Sequence, residues 1–346
     1  MDIWEGAHDE SWEHAQEALA KSGMSDGLPV VPPTRQRVDS ALRAAGVDSS
    51  TIVATLPPAF AEVTWRDVAI NAVLAGCAPE YLRVVGAAVA AMGEPDFNLL
   101  GISTTTGSAT VCIVVNGPVA AAIGMNSGAN AFGPGNRANA TIGRAVCLTL
   151  RNAAGARPGE IDMATLGQPG KYTFCFAENE GRSPWPPLHV DRGFASDTSV
   201  ATVFGVSGTI EMVDSESADA ETLAQTFAQS MLIAGNVGSA GLLGGSEPLV
   251  VMPPEHAEAF AREGLTKAQV KALIYERALL SIERLAPKQR ARAAAGGGAS
   301  DGYLRVAKKA DDIAVVVAGG VGRKAAYVPT WSGGTKSVSR KIVSPA

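Results

Sequence analysis

Short, wholly apolar runs bounded by turn residues constrain this chain most. Val111–Val115 and Ile313–Ala318 carry no polar side chain. Both are far shorter than the ~18 apolar residues a membrane-crossing helix needs. Strands with one solvated face alternate apolar and polar residues, so a continuous run marks a strand covered on both faces. Val200–Val206 and Leu249–Met252 read as further strands of the series. Helical segments alternate with them. Thr34 caps a helix to about Ala45 with Gly46 as its stop, and Thr64 and Asp67 are spaced as a capping box opening a helix to about Ala75. Pro79 opens a helix to Met92, and Ala138–Asn152 is another. Ser217 is expected to cap a helix ending near Gly235, and Thr266 with Gln269 to box a helix running to Leu280. Ala291–Ala299, rich in Ala and Gly, reads as a flexible connection. Strands alternating with helices give an α/β fold with mixed or parallel sheets covered by helices.

A weak internal repeat divides the chain into an N-terminal half, 1–195, and a C-terminal half, 196–346. Cys112–Gly124 parallels Pro248–Phe260 as strand, proline turn and helix. Phe176–Arg182 parallels Val317–Arg323, each a buried strand followed by Gly and Arg. Two such halves would be related by a pseudo-two-fold axis, with a cleft between residues 170–192 and 319–324.

Composition narrows the function. Charged residues are 18% of the chain and the formal net charge is −5, which argues against a nucleic-acid partner. Cysteines 77, 112, 147 and 175 form no Cys-x-x-Cys pair, and the acidic N-terminus has no signal-peptide core, so a cytoplasmic location is expected. A small-molecule substrate suits this balance. No Gly-x-Gly-x-x-Gly, Walker or Gly-x-Ser-x-Gly string supports a nucleotide cofactor or a hydrolase elbow, and no organic cofactor is expected.

The densest polar segment is 169–182. Glu178, Asn179 and Glu180 lie just past a strand expected over Tyr172–Ala177, where paired carboxylates separate in pKa and one can act as base. Lys171 is placed to balance them or hold an anion, and Cys175 is the cysteine best placed for nucleophilic work, though strand cysteines are more often inert. Prolines stiffen 183–187 and present His189, Asp191 and Arg192, with His189 as acid or orienter. A divalent metal on Glu178, Glu180, His189 and Asp191 stays open, although the spacing matches no established ligand motif. The Gly/Asn-rich loop 126–136 runs into a helix start, a natural anion site to which Asn126, Ser127, Arg137 and Asn139 add donors. Gly319, Gly320 and Arg323 would form the opposite wall. Small-residue loops at Ser103–Ser108 and Gly235–Glu247 would also admit a ligand close to backbone.

Four strings carry a family resemblance: Asp26–Thr34 (Asp-Gly-Leu-Pro-Val-Val-Pro-Pro-Thr), Ala75–Tyr81, Phe132–Arg144 and Gly170–Cys175. Together they resemble a bacterial family associated with UGSC proteins, named for a selenocysteine/cysteine-Gly-Ser-Cys motif, over nearly the whole chain. The resemblance implies no particular reaction. This chain has no Cys-Gly-Ser-Cys, and Ser332–Thr335 holds no cysteine, so a thiol-redox role would need a second, thiol-bearing subunit. Three readings follow: an acid/base enzyme of the hydrolase or lyase kind, a redox or scaffold subunit beside such a partner, or a small-molecule binding protein. The low charge and many Ala and Gly faces also lead us to expect a closed homo-oligomer. Light scattering should return a dimer or larger at micromolar concentration; a single chain mass would contradict this.

Overall fold

The computed structural model describes residues 11–233, 247–295, 301–331 and 333–343. A hairpin of β1 (Ile52–Leu56) and β2 (Ala61–Thr64) precedes β3 (Thr110–Asn116), β4 (Cys175–Ala177) and β5 (Val200–Val206). Then come β6 (Ile210–Val213), β7 (Leu249–Met252), and a second hairpin of β8 (Leu279–Ser281) and β9 (Tyr303–Arg305). Last are β10 (Ala314–Val317), β11 (Lys324–Val328) and β12 (Val338–Lys341).

Two four-stranded sheets form the centre, in the orders β12-β5-β3-β4 and β6-β11-β7-β10. β3 and β4 are parallel, β5 is antiparallel to β3, and β12 is antiparallel to β5. β7 and β10 are parallel, β11 is antiparallel to β7, and β6 is antiparallel to β11. The same plan is therefore built twice, from β3, β4 and β5 and from β7, β10 and β11. The fourth strand is exchanged: β6 follows β5 in the chain but closes the second sheet, and β12 follows β11 but closes the first.

Side-chain alternation explains the layering. Cys112, Val114, Phe176 and Phe204 face Leu249, Val251, Val316 and Val328, so the inner faces of the two sheets pack on each other. Val111, Ile113, Val115, Ala201 and Val203 turn outward onto helices Arg35–Ala45, Trp65–Ala75, Leu82–Met92 and Arg137–Asn152. Val250, Met252, Val315, Val317 and Tyr327 turn the other way onto helices Ala220–Ile233, Pro254–Arg262 and Lys267–Arg277. The layers run helix, sheet, sheet, helix. All seven residues of β3 are buried, as are all seven of β5.

Facing also corrects the register of the repeat. Sequence layout aligns Phe176 with Val317, yet Phe176 faces the other sheet and Val317 faces helices. A one-residue slip inverts every side chain of a strand. The backbone supplies the right pairing: Glu178 donates its N–H to Val115 O (3.1 Å) as Ala318 does to Met252 O (2.9 Å). Glu178 thus corresponds to Ala318, and Asn116 to Pro253.

Local signals that carry their own chemistry appear where expected. Thr34 caps Arg35–Ala45 and Gly46 ends it, and both capping boxes, Thr64/Asp67 and Thr266/Gln269, are formed. Other expectations change. The helix after Thr266 stops at Arg277, because Leu279–Ser281 pairs with Tyr303–Arg305 instead. Residues Pro287–Ala295 are helical, so 291–295 is no loose connection, and the rest of that stretch, 296–299, lies outside the described residues. Asp219, not Ser217, caps the helix from Ala220, accepting Thr222 N at 2.7 Å, while the Ser217 hydroxyl donates to Asp214. Pro169–Lys171 is a tight turn, which shortens the strand before Glu178 to Cys175–Ala177. The expected helix end at Gly235 and most of the Gly235–Glu247 loop lie outside the described residues.

Gly143, on helix Arg137–Asn152, lets that helix approach the first sheet. A Cβ there would lie 2.4 Å from Thr173 Oγ1 and 2.8 Å from the Phe174 backbone nitrogen. Gly143→Ala should cost about 1–3 kcal/mol through overpacking against backbone. An unchanged midpoint in thermal unfolding would contradict this helix–sheet contact.

Candidate functional site

Polar groups converge where the parallel strands β3 and β4 end. Asn116 closes the apolar run of β3 and is buried. Its Nδ2 donates to Glu178 Oε2 at 2.6 Å and to Glu180 Oε1 at 3.0 Å. Gly117 N donates to the same Glu180 oxygen at 2.7 Å. Glu178 is 4% exposed and also accepts Leu188 N (2.8 Å, on Oε2) and Val317 N (3.4 Å, on Oε1). This one carboxyl therefore ties β3 to the 184–191 segment and to β10 of the second sheet. Asn179 N adds a bond to Val317 O at 2.7 Å.

Pro186 and Pro187 lead into the short helix Leu188–Asp191, which turns His189 inward until it is 0% exposed. Its Nδ1 stands 3.8 Å from Glu180 Oε1 and has no hydrogen-bond partner, while Nε2 lies 3.4 Å from Ser196 O. Asn116 Oδ1 is likewise buried without a partner. Glu180 is the group with access to solvent, its side chain 30% exposed. Oε1 is held as described, and among the described residues no donor reaches Oε2.

Burial pushes the Glu178 carboxyl up. The Lys267 ammonium and the Leu188, Asn116 and Val317 N–H groups pull the other way without overcoming it. Lys267 is itself buried and donates to Asp191 Oδ2 at 2.7 Å and to Pro186 O. Asp191 is thus committed to Lys267, and the carboxylate beside His189 is Glu180.

The structure brings Glu178, Glu180 and His189 together, keeps Asn179 beside them with its N–H on Val317 O, and places the other sequence candidates elsewhere. Lys171 pairs with Asp162 at 2.5 Å on the rim of a cavity of about 610 Å³ under the 156–171 loop. Cys175 is packed among the core side chains under the outer helices, and burial pushes its thiol up. The helix start at Arg137 is closed by its own chain, since Asn136 Oδ1 accepts Asn139 N at 2.9 Å and Arg137 Nε donates to Gly76 O. Asn139 uses its amide to hold Asn126 N and O and Ala131 O, so it staples the loop. Asn126 and Ser127 spend backbone oxygens on Ala177 N and Gly319 N. Arg192 donates to Ser337 and Ser339, and Arg323 to the carbonyls of Ser215 and Ser217. Gly319 and Gly320 wall a separate cavity of about 430 Å³ with the 129–133 loop, not the Glu178 cluster. Among the described residues no group of three or more His, Cys, Asp or Glu is arranged to hold a metal ion. No helix of the described residues is long and apolar enough to cross a membrane.

Sequence reasoning missed Asn116 and Lys267. Asn116 had a usable signal, an amide closing an otherwise apolar strand just before Gly-Pro. Lys267 had none, because its partners stand about eighty positions away. The chain matches no protein-family model, no curated protein and no solved structure.

The raised Glu178 carboxyl has a consequence for stability. Its folded pKa lies above the ordinary value of 4.5, so the folded state binds the proton more tightly than the unfolded state. That contribution is whole below the unfolded pKa and is lost as pH rises through the folded one. Thermal midpoints of the parent chain should therefore fall relative to Glu178→Gln as pH rises from about 4.5 toward neutrality. A difference constant with pH would contradict a carboxyl pushed up by burial.

Proposed function

We propose that the chain is an enzyme that moves a proton on a small polar substrate, as a hydrolase or lyase does, with Glu180 as the base. The observation that carries this is the asymmetric hold on Glu180. One oxygen is fixed by Asn116 and Gly117, while the other accepts nothing among the described residues and the side chain reaches solvent. A general base needs that combination of fixed geometry and a free lone pair. His189 backs it. Its Nδ1 stands 3.8 Å from the held Glu180 oxygen, with Nε2 turned to Ser196 O. Glu178 and Asn116 hold Glu180 in place through the shared Asn116 Nδ2. The position supports the same reading, since α/β sheets keep ligands beyond the carboxyl ends of their strands. The chain's own thiols give a redox reading no such support: burial pushes Cys77 and Cys147 up to about 12, and Cys112 and Cys175 up as well.

A thermal-shift screen of small carboxylates, amides and hydroxy acids would identify a substrate candidate. On a compound that is turned over, Glu180→Gln should lower kcat by roughly 10²–10⁴ with the fold intact. Full turnover by a folded Glu180→Gln would reject Glu180 as the base.

A further inference from the structure

The two copies of the sheet plan differ most in one connection, and a cavity follows from that difference. In the first sheet, residues 178–199 link β4 to β5 and fold back over the inner face. Arg192 from this excursion occupies the edge of that face. It donates to Ser337 O and Ser339 Oγ, both at 3.3 Å, and to the Ser337 hydroxyl, and lies 5.6 Å from the Phe204 ring centre. In the second sheet, residues 318–323 alone link β10 to β11, too short a turn to cover the matching surface. A cavity of about 430 Å³ opens there, within the roughly 300–1,000 Å³ of small-molecule sites.

Register identifies the equivalent positions. Thr202 pairs with Ser339 as Ala326 pairs with Glu211, so Glu211 stands where Ser339 receives Arg192. Lys324, two residues along β11 from Ala326, lines the same cavity. Both side chains are exposed, and among the described residues neither makes an ion pair. They sit diagonally across the β6–β11 pair, roughly 7–8 Å apart at the backbone. Ala326 beside them on β11, then Val251 and Ala318 farther across the sheet, line the same cavity with the Phe132 ring. Gly320 makes the wall: a Cβ there would lie 2.6 Å from Ala129 Cβ, so only glycine lets the 318–322 turn close on the 129–133 loop.

We propose that this cavity binds a small zwitterion with an apolar body, of the α-amino acid kind, its cationic nitrogen on Glu211 and its carboxylate on Lys324. The cationic half has a precedent within the chain, since the guanidinium of Arg192 fills the corresponding place in the first sheet, where Glu247 balances its charge at 3.7 Å. The apolar floor takes the body of the ligand. The site is independent of Glu180 and His189, and its failure would leave the proton-transfer reading untouched.

The test is a titration of ¹⁵N-labelled full-length chain with L-phenylalanine and L-leucine, and with phenethylamine and 3-phenylpropionate, which each keep one end of phenylalanine. Saturable shifts should appear at residues 319–322 and 129–133, and each one-ended analogue should bind at least about tenfold more weakly. Glu211→Gln and Lys324→Met should weaken L-phenylalanine by a similar factor with unchanged thermal midpoints, both side chains being exposed. Three results would overturn the proposal: no saturable shift up to about 10 mM of either amino acid, equal binding of a one-ended analogue, or binding indifferent to both variants. Should a variant fail to fold, the analogue series decides alone.

Discussion

The rest of the structure depends on the burial of the central strands from both sides. β3 and β5 have no exposed residue, so each sheet must find one cover among helices and another in its twin. At ~25 cal/mol per Å² of apolar surface, this packing is the main favourable contribution to the fold. It leaves little freedom for the edges. β6 and β12 complete the opposite sheets, so neither sheet is assembled without chain from the other.

Such a core penalises polar groups, which makes the cluster at the ends of β3 and β4 informative. A buried carboxyl is tolerated when N–H groups surround it. Glu178 collects them from Asn116, Leu188 and Val317, three separate parts of the chain. The equivalent positions in the second sheet are Pro253 and Ala318, which have no such chemistry. Repetition supplied the frame twice, and the polar cluster was built on one copy only. The other copy kept a short turn and a cavity. Unsatisfied buried atoms, Asn116 Oδ1 and His189 Nδ1, lie in the cluster as well. Stability alone gives no reason to keep them.

Much of this was legible in the sequence where the signal is local. Capping boxes and apolar strands state their own structure, because partners lie within four residues or because an apolar run admits one environment. Edge strands were not legible. Val338–Lys341 is polar and short, and its partner β5 lies about 135 positions away. The repeat was visible but one residue out of step, since Val-rich strings align almost equally well in adjacent registers while only one keeps the faces. For the site, Glu178, Glu180 and His189 were readable as polar groups after a buried strand. Lys171, Arg137 and Arg192 looked equally free, yet each is spent on a partner, Asp162, Gly76 or Ser337, that spacing does not reveal.

The central claim is that Glu180 is the base and that His189, its Nδ1 3.8 Å from the held Glu180 oxygen, senses that carboxylate. The direct measurement is the pair of ¹⁵N resonances of the His189 ring, recorded in the parent chain and in Glu180→Gln. The account predicts that the Nδ1 signal responds to loss of the carboxylate while Nε2, turned to Ser196 O, holds its position. Two unchanged resonances would mean that the groups are neighbours without chemical coupling, and the account would fail.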